Sequence, residues 1–261
     1  MIEWFRVLSL GILEGVTEFI PISSTGHLIL AEQLFKSTLE TSKTFDIAIQ
    51  LGAILAVVGM YRHTFYQMLD FKNWRDTQKL IIAALPIMAV GFLVHKWIKK
   101  WLFNPIGVGI ALILGAILMI IVEKVAAKKT PISTSIKEVT PKQAFWIGLC
   151  QCAALWPGMS RSASTIMGGL LSGLDHKTAA EFSFLVAVPV MAIATAYELM
   201  KSASILSPTA LVEIGVGGMT ACMIAVISIS TFLKLLQRFK LTPFAGYRLI
   251  LGAIVLAIYF N

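Results

Sequence analysis

Apolar runs of the length a membrane requires, about 20 residues, occur at six places along the chain: 45–61, 80–94 with its flanks, 106–122, 180–199, 211–233 and 244–260. Two further regions are apolar but broken. Region 1–35 is interrupted by Pro21-Ile22-Ser23-Ser24-Thr25-Gly26-His27, and region 142–174 by Pro157-Gly158-Met159-Ser160-Arg161-Ser162. Each break leaves pieces too short to span alone. The pattern predicts an all-α membrane protein with about six transmembrane helices and two re-entrant helix-loop-helix hairpins. Irregular backbone at the hairpin tips would lie at membrane depth. Such backbone is tolerated only where protein or a water-filled cavity satisfies its amides and carbonyls.

The pattern also repeats. Leu112-Ile113-Leu114-Gly115-Ala116-Ile117 recurs at 249–254, a displacement of 137. The same displacement pairs Gly11 with Gly148, Glu14 with Gln151, Ser23 with Ser160, Thr25 with Ser162 and Phe45 with Phe182. We expect one integral membrane domain made of repeat one (1–124), a linker (125–141) and repeat two (142–261), as in transporter-like repeat folds. Charge gives the orientation. The linker region carries Lys124, Lys128, Lys129, Lys137 and Lys142, and the loop 62–79 carries Arg62, Lys72, Arg75 and Lys79. Both are expected on the cytoplasmic side. The corresponding loop of repeat two, 201–211, has only Lys201 and falls outside, so the repeats are expected to be inverted, with the hairpins entering from opposite faces. Lys96, Lys99 and Lys100 then lie outside, against the rule, and the linker signal outweighs them.

Composition supports lipid as the solvent. Hydrophobic residues make up 57% of the chain and charged residues 14%, against about 25% charged in a soluble domain, and the mean hydropathy is +0.81. The net charge of +8 sits in short clusters between apolar runs rather than in a basic, aromatic-interleaved groove, so no nucleic-acid partner is expected. Met1-Ile2-Glu3 lacks the basic start of a cleavable signal. Cys150, Cys152 and Cys222 lie in apolar runs and read as small buried hydrophobes.

The chemistry is concentrated at the two breaks. Glu14 and Glu18 are four apart and share a helix face. A carboxylate at the bilayer centre costs roughly 2.5–3.5 kcal/mol, so a pair calls for a cation or a protonated partner. Hard oxygen ligands suit Mg²⁺ or Ca²⁺, a divalent cation held by Glu14 and Glu18. Arg161 stands among Ser160, Ser162, Ser164 and Thr165, directly after Pro157-Gly158. Guanidinium binds two phosphate oxygens with a fixed fork, and Gly158 with the small hydroxyl residues lets backbone N–H groups face an anion. Pairing of Arg161 with Glu14 or Glu18 is the alternative, and both readings bring the tips together. Ser23-Ser24-Thr25-Gly26-His27 places hydroxyls beside an imidazole, a combination suited to phosphoryl transfer. His63, His95 and His176 sit at the ends of apolar runs and read as interfacial.

The stretches Glu14-Gly15-Val16-Thr17-Glu18-Phe19-Ile20-Pro21-Ile22-Ser23-Ser24-Thr25-Gly26-His27 and Pro157-Gly158-Met159-Ser160-Arg161-Ser162 resemble the two signatures of the bacterial undecaprenyl-diphosphate phosphatase (bacitracin-resistance protein) family. Thr44-Phe45-Asp46 to Gln50-Leu51-Gly52 and Glu181-Phe182-Ser183-Phe184 are similar to further family segments, so the likeness covers nearly the whole chain. The resemblance implies hydrolysis of undecaprenyl diphosphate to the monophosphate, recycling the lipid carrier of peptidoglycan synthesis and conferring bacitracin resistance. It implies a multi-pass protein of the bacterial inner membrane whose site opens to the outer face, with a polyprenyl diphosphate lipid as partner and a homodimer left open. By position, Glu14 and Glu18 match the family's acidic pair, Ser24 and His27 its proposed nucleophile or base, and Arg161 its phosphate-binding arginine, which makes Glu18, Ser24, His27 and Arg161 the expected catalytic residues. Ser24 is the preferred nucleophile with His27 as base or acid and Glu18 helping; attack by His27 itself stays open. Ser23, Thr25, Gly26, Gly158, Ser160, Ser162 and Thr165 are the expected substrate-binding residues. Ala163 departs from the pattern, where Gly is common. Two rivals come into view. The lipid phosphatases with an S-G-H and S-R signature need a further His and Asp at fixed spacing, and the position six after Arg161 is Met167, so that rival fails. A carrier that flips undecaprenyl phosphate is the second, because inverted repeats with midplane polar groups are what transporters use.

Overall fold

The computed structural model describes residues 2–35, 40–69, 74–202 and 207–260. Lys72, counted above in the loop 62–79, lies outside the described residues, as do the side chains of His95 and Lys99.

Helices α1 (Ile2–Thr17) and α2 (Ser24–Leu34) form the first broken region, followed by α3 (Glu40–Met60), α4 (Arg62–Leu69), α5 (Trp74–Trp101) and α6 (Pro105–Ala126). The second half holds α7 (Pro141–Gln151), α8 (Arg161–Leu171), α9 (His176–Ser202), α10 (Pro208–Phe239) and α11 (Thr242–Phe260). Among the described residues five helices are long and apolar enough to cross a membrane, or six if the bent pair 44–60 with 62–68 is counted as one span. At 1.5 Å per residue the 11-residue helices α2, α7 and α8 reach about half of the roughly 30 Å hydrocarbon core. The element order recurs at the displacement seen in the sequence: α2 covers 24–34 and α8 161–171, and α6 and α11 begin at 105 and 242, both 137 apart.

Helix starts follow the local sequence. Asn104-Pro105, Thr140-Pro141 and Ser207-Pro208 each put a capping side chain before a proline at the first helical position, where the missing N–H costs nothing. Gln143 completes a capping box with Thr140. The loop expected at 62–79 instead contains α4, turned 81° from α3. Its Tyr66 is exposed, as befits an aromatic anchor at an interface.

Helices associate through small residues, because apolar side chains gain little by leaving lipid for one another. A Cβ on Gly11 would lie 2.6 Å from Gly217 O and one on Gly15 2.6 Å from Ala221 O, so α1 runs against α10. The twin of Gly11, Gly148, meets Ala83 O at 2.4 Å, which sets α7 against α5. A Cβ on Gly52 would lie within 1.9 Å of Gly218 O, where α3 touches α10. Between α6 and α7, the linker is strapped to the α8–α9 turn by Ser133 N–H on Gly173 O, and Gln143 Nε2 at the start of α7 donates to Ser172 O beside it. His176 is held by Glu123 at 2.9 Å, and Glu123 also accepts the Leu241 N–H.

Candidate active site

Both tips use one local device. Ser23 (φ 75°) and Ser160 (φ 71°) occupy the left-handed half of backbone space, a conformation that costs of order 1–3 kcal/mol for a residue with a Cβ. Each then caps the helix that follows: Ser23 Oγ accepts the Gly26 N–H at 3.3 Å, and Ser160 Oγ the Ala163 N–H at 3.2 Å. The breaks are therefore shorter than the sequence pattern suggests. Ser24-Thr25-Gly26-His27 forms the first turn of α2, and Arg161 opens α8. Ala163 lies inside α8 and the positive φ angles of this tip fall on Gly158 and Ser160, so no glycine is required at 163.

The tips meet across the repeats. Ser162 Oγ donates to Ile20 O at 3.1 Å. Glu18 joins the two sides: Ser24 Oγ donates to its Oε2 at 2.5 Å, and Arg161 Nη2 pairs with its Oε1 at 2.8 Å. Arg161 Nη1 donates to Ser183 O at 3.0 Å and Oγ at 3.3 Å, the guanidinium lies over the Phe19 ring, and Nε has no partner. Thr165 Oγ1 bonds Ser183 Oγ and so braces that contact. The pair opens onto a cavity of about 120 Å³ lined by Glu18, Ser23, Ser24, Thr25, Gly158, Ser160 and Arg161, with Gln50, Ala154, Pro157 and Met191. An ion pair, a hydroxyl already donating to a carboxylate, and a helix N-terminus at Arg161 together suit an anionic group.

The remaining expected residues sit behind this surface. Gly26, Ser162 and Thr165 do not line the cavity; they hold the tips through the contacts given above. His27 is not at Ser24 either. Its Nδ1 donates to Ser23 O at 2.7 Å, which leaves Nε2 to accept the Tyr247 hydroxyl at 2.7 Å. The contact with the Ser24 hydroxyl, expected of His27, is made by Glu18. Glu14 is fully buried beneath Glu18, and neither of its oxygens has a hydrogen-bond partner. Such an orphaned carboxylate beside a second one fits a hard cation that completes its shell with water or substrate oxygens. No cluster of three His, Cys, Asp or Glu is present among the described residues.

Four residues at or around the site went unread in the sequence. Gln50 and Ser183 stand inside family-like segments but carry no motif of their own. Tyr247 and Arg248 lie in the last apolar run, where a charge at membrane depth is itself a signal. Arg248 is completely buried.

The model of the family described as "Bacitracin resistance protein BacA" matches residues 7–254. The chain belongs to that family. It is 45% identical to the undecaprenyl-diphosphatase of Maridesulfovibrio salexigens, over 98% of both chains. It is 46% identical to that of Wolinella succinogenes, over 97% of this chain and 96% of the relative. A third undecaprenyl-diphosphatase, from Caldanaerobacter subterraneus, is 45% identical over 96% and 94%.

Proposed function

We infer that this BacA-family chain is a membrane phosphatase that hydrolyses undecaprenyl diphosphate to undecaprenyl phosphate and inorganic phosphate. The observation that carries the reading is the single carboxylate of Glu18 shared between the Ser24 hydroxyl and Arg161 at the mouth of the cavity. The names of the relatives support hydrolysis and give the carrier reading no support.

In the reaction we assign, Arg161 exchanges part of its hold on Glu18 for the terminal phosphate. Its unpartnered Nε and the N-terminus of α8 add to the charge stabilisation. Ser24 Oγ forms a bond to the terminal phosphorus while its proton passes to Glu18 Oε2. The bond from that phosphorus to the bridging oxygen breaks, and undecaprenyl phosphate leaves. Water then displaces Ser24 from phosphorus: Glu18 returns its proton to the departing Ser24 Oγ and takes one from the attacking water, which it passes to solvent as inorganic phosphate departs. His27 orients the first turn of α2 from Ser23 O and Tyr247. Glu14, with Glu18, would hold a divalent cation, Mg²⁺ or Ca²⁺, which supplies positive charge to phosphate oxygens when bound.

The basic loops support a linker inside and inverted repeats, and the family resemblance supports a cavity open to the outer face of the bacterial inner membrane. Phosphate release from C55 and C15 diphosphates by purified protein tests the function. Release at the wild-type rate by Arg161→Ala would remove the phosphate clamp, and release by Ser24→Ala would remove the nucleophile.

A further inference from the structure

Arg248 is among the largest side chains completely closed to solvent, and among the described residues no carboxylate pairs with it. A buried charge demands compensation, and here it comes from backbone carbonyls. Nε donates to Leu112 O (3.3 Å), Nη1 to Pro21 O (3.3 Å) and Met159 O (2.9 Å), and Nη2 to Ala111 O (3.2 Å) and Gly158 O (3.0 Å). A guanidinium has five N–H groups, so all five are used. Three of the five carbonyls belong to the two tips.

Two of those carbonyls are related by the repeat. Pro21 and Gly158 are 137 apart, and Arg248 is 137 beyond Ala111, whose carbonyl it binds. One guanidinium thus stands where the two halves face each other, and it grips the same backbone position in each tip. Room for only one is left there. Repeat one offers the methyl of Ala111, and a Cβ on Gly115 would fall within 1.9 Å of Nη2.

The grip also sets a donor. Peptide bonds here are trans and planar, so C=O and N–H point in opposite directions. With the Met159 carbonyl turned to Arg248, the next N–H, that of Ser160, faces away from it, and Ser160 lines the cavity. The Pro21 carbonyl lies two residues before Ser23, the left-handed residue that presents Ser24.

We propose that Arg248 is a positioning residue for phosphoryl transfer, holding the Glu18–Ser24 tip and the Ser160–Arg161 tip in register so that both meet one phosphate. The proposal rests on the site assignment given above. It requires a long donor fork, so a lysine at 248, with three donors on a single nitrogen, restores only part of it.

The test is steady-state phosphate release from C15 diphosphate by the purified full chain. Arg248→Met is expected to raise KM by about tenfold or more and to lower kcat by a similar factor, with Arg248→Lys between it and wild type. A variant that merely folds in lower yield loses kcat and keeps KM, because KM does not depend on how much enzyme is active. A KM within about twofold of wild type therefore overturns the proposal. Should Arg248→Met fail to purify, Gly115→Ala pushes Nη2 aside while every residue of α11 is kept. It is expected to raise KM by about threefold or more, and an unchanged KM there overturns the proposal equally. Full activity of Arg161→Ala in the same assay would instead overturn the site assignment, separately from any Arg248 result.

Discussion

Replacement of Glu18 by glutamine isolates the contact on which the proposed chemistry depends. The side chain keeps its shape but loses its charge and one acceptor. If the amide oxygen faces Arg161, the NH₂ faces Ser24 and the hydroxyl has no acceptor for its proton. If the amide is turned, its NH₂ meets the Arg161 Nη2 donor that now lies 2.8 Å from Oε1. Hydrogen bonds to a charged group contribute about 1.5–3 kcal/mol each, and loss of a general base costs about 10²–10⁴ in rate. With the first bond gone and the base removed, kcat/KM should fall by about 10³, equivalent to about 4 kcal/mol of transition-state stabilisation. Glu18→Asp keeps the charge but is one methylene shorter and cannot reach both partners, so it should recover only part of the loss. The assay is phosphate release from C15 and C55 diphosphates, with size-exclusion profiles and thermal melting recorded for each variant. A folded Glu18→Gln enzyme within about tenfold of wild-type kcat/KM would refute the base assignment.

Tyr247→Phe removes the hydroxyl on His27 Nε2 and should lower kcat by about tenfold at most, in line with roughly 1 kcal/mol for one hydrogen bond; a loss of a thousandfold would mean that the His27–Tyr247 pair takes part in the chemistry. Gly52→Ala forces a methyl onto Gly218 O and should destabilise the α3–α10 contact by about 1–3 kcal/mol, read as a lower melting temperature, while Gly59→Ala, which meets nothing within 4 Å, serves as the control. Chelation with EDTA should abolish phosphate release and added Mg²⁺ or Ca²⁺ should restore it, with Glu14→Gln requiring more cation for half-activity; activity that survives exhaustive chelation would rule out the cation on Glu14 and Glu18.

Hydrophobic runs made the long helices legible, because lipid leaves hydropathy as the main determinant of where a helix lies. The second half of each tip was harder to place. Ser24 to His27 reads as polar interruption, yet Ser23 caps it into a helix, and a capping serine in a left-handed conformation leaves no periodic trace. Glu18, Ser24 and Arg161 were legible as residues, since charge and hydroxyls stand out against an apolar background. Their division of labour was not. His27 is taken up by Tyr247, 220 positions away, and nothing local announces that partner. The helix α4 was hidden for a related reason: its mixed residues resemble a loop until an interface gives them two sides.

The matched serines also bear on how the site could be altered. Ser23 and Ser160 form two sockets of the same shape, and whatever residue follows each one is delivered to the cavity. The first socket carries a hydroxyl and the second a guanidinium, so the tips differ in one side chain per socket, and Glu18 adds a carboxylate to the first half alone. Exchanging the plug-in residues, Ser24→Arg together with Arg161→Ser, would present the same two groups from opposite sides. The shared carboxylate of Glu18 would stay where it is, on one side only, and the exchanged enzyme would show how far the chemistry depends on handedness rather than on content.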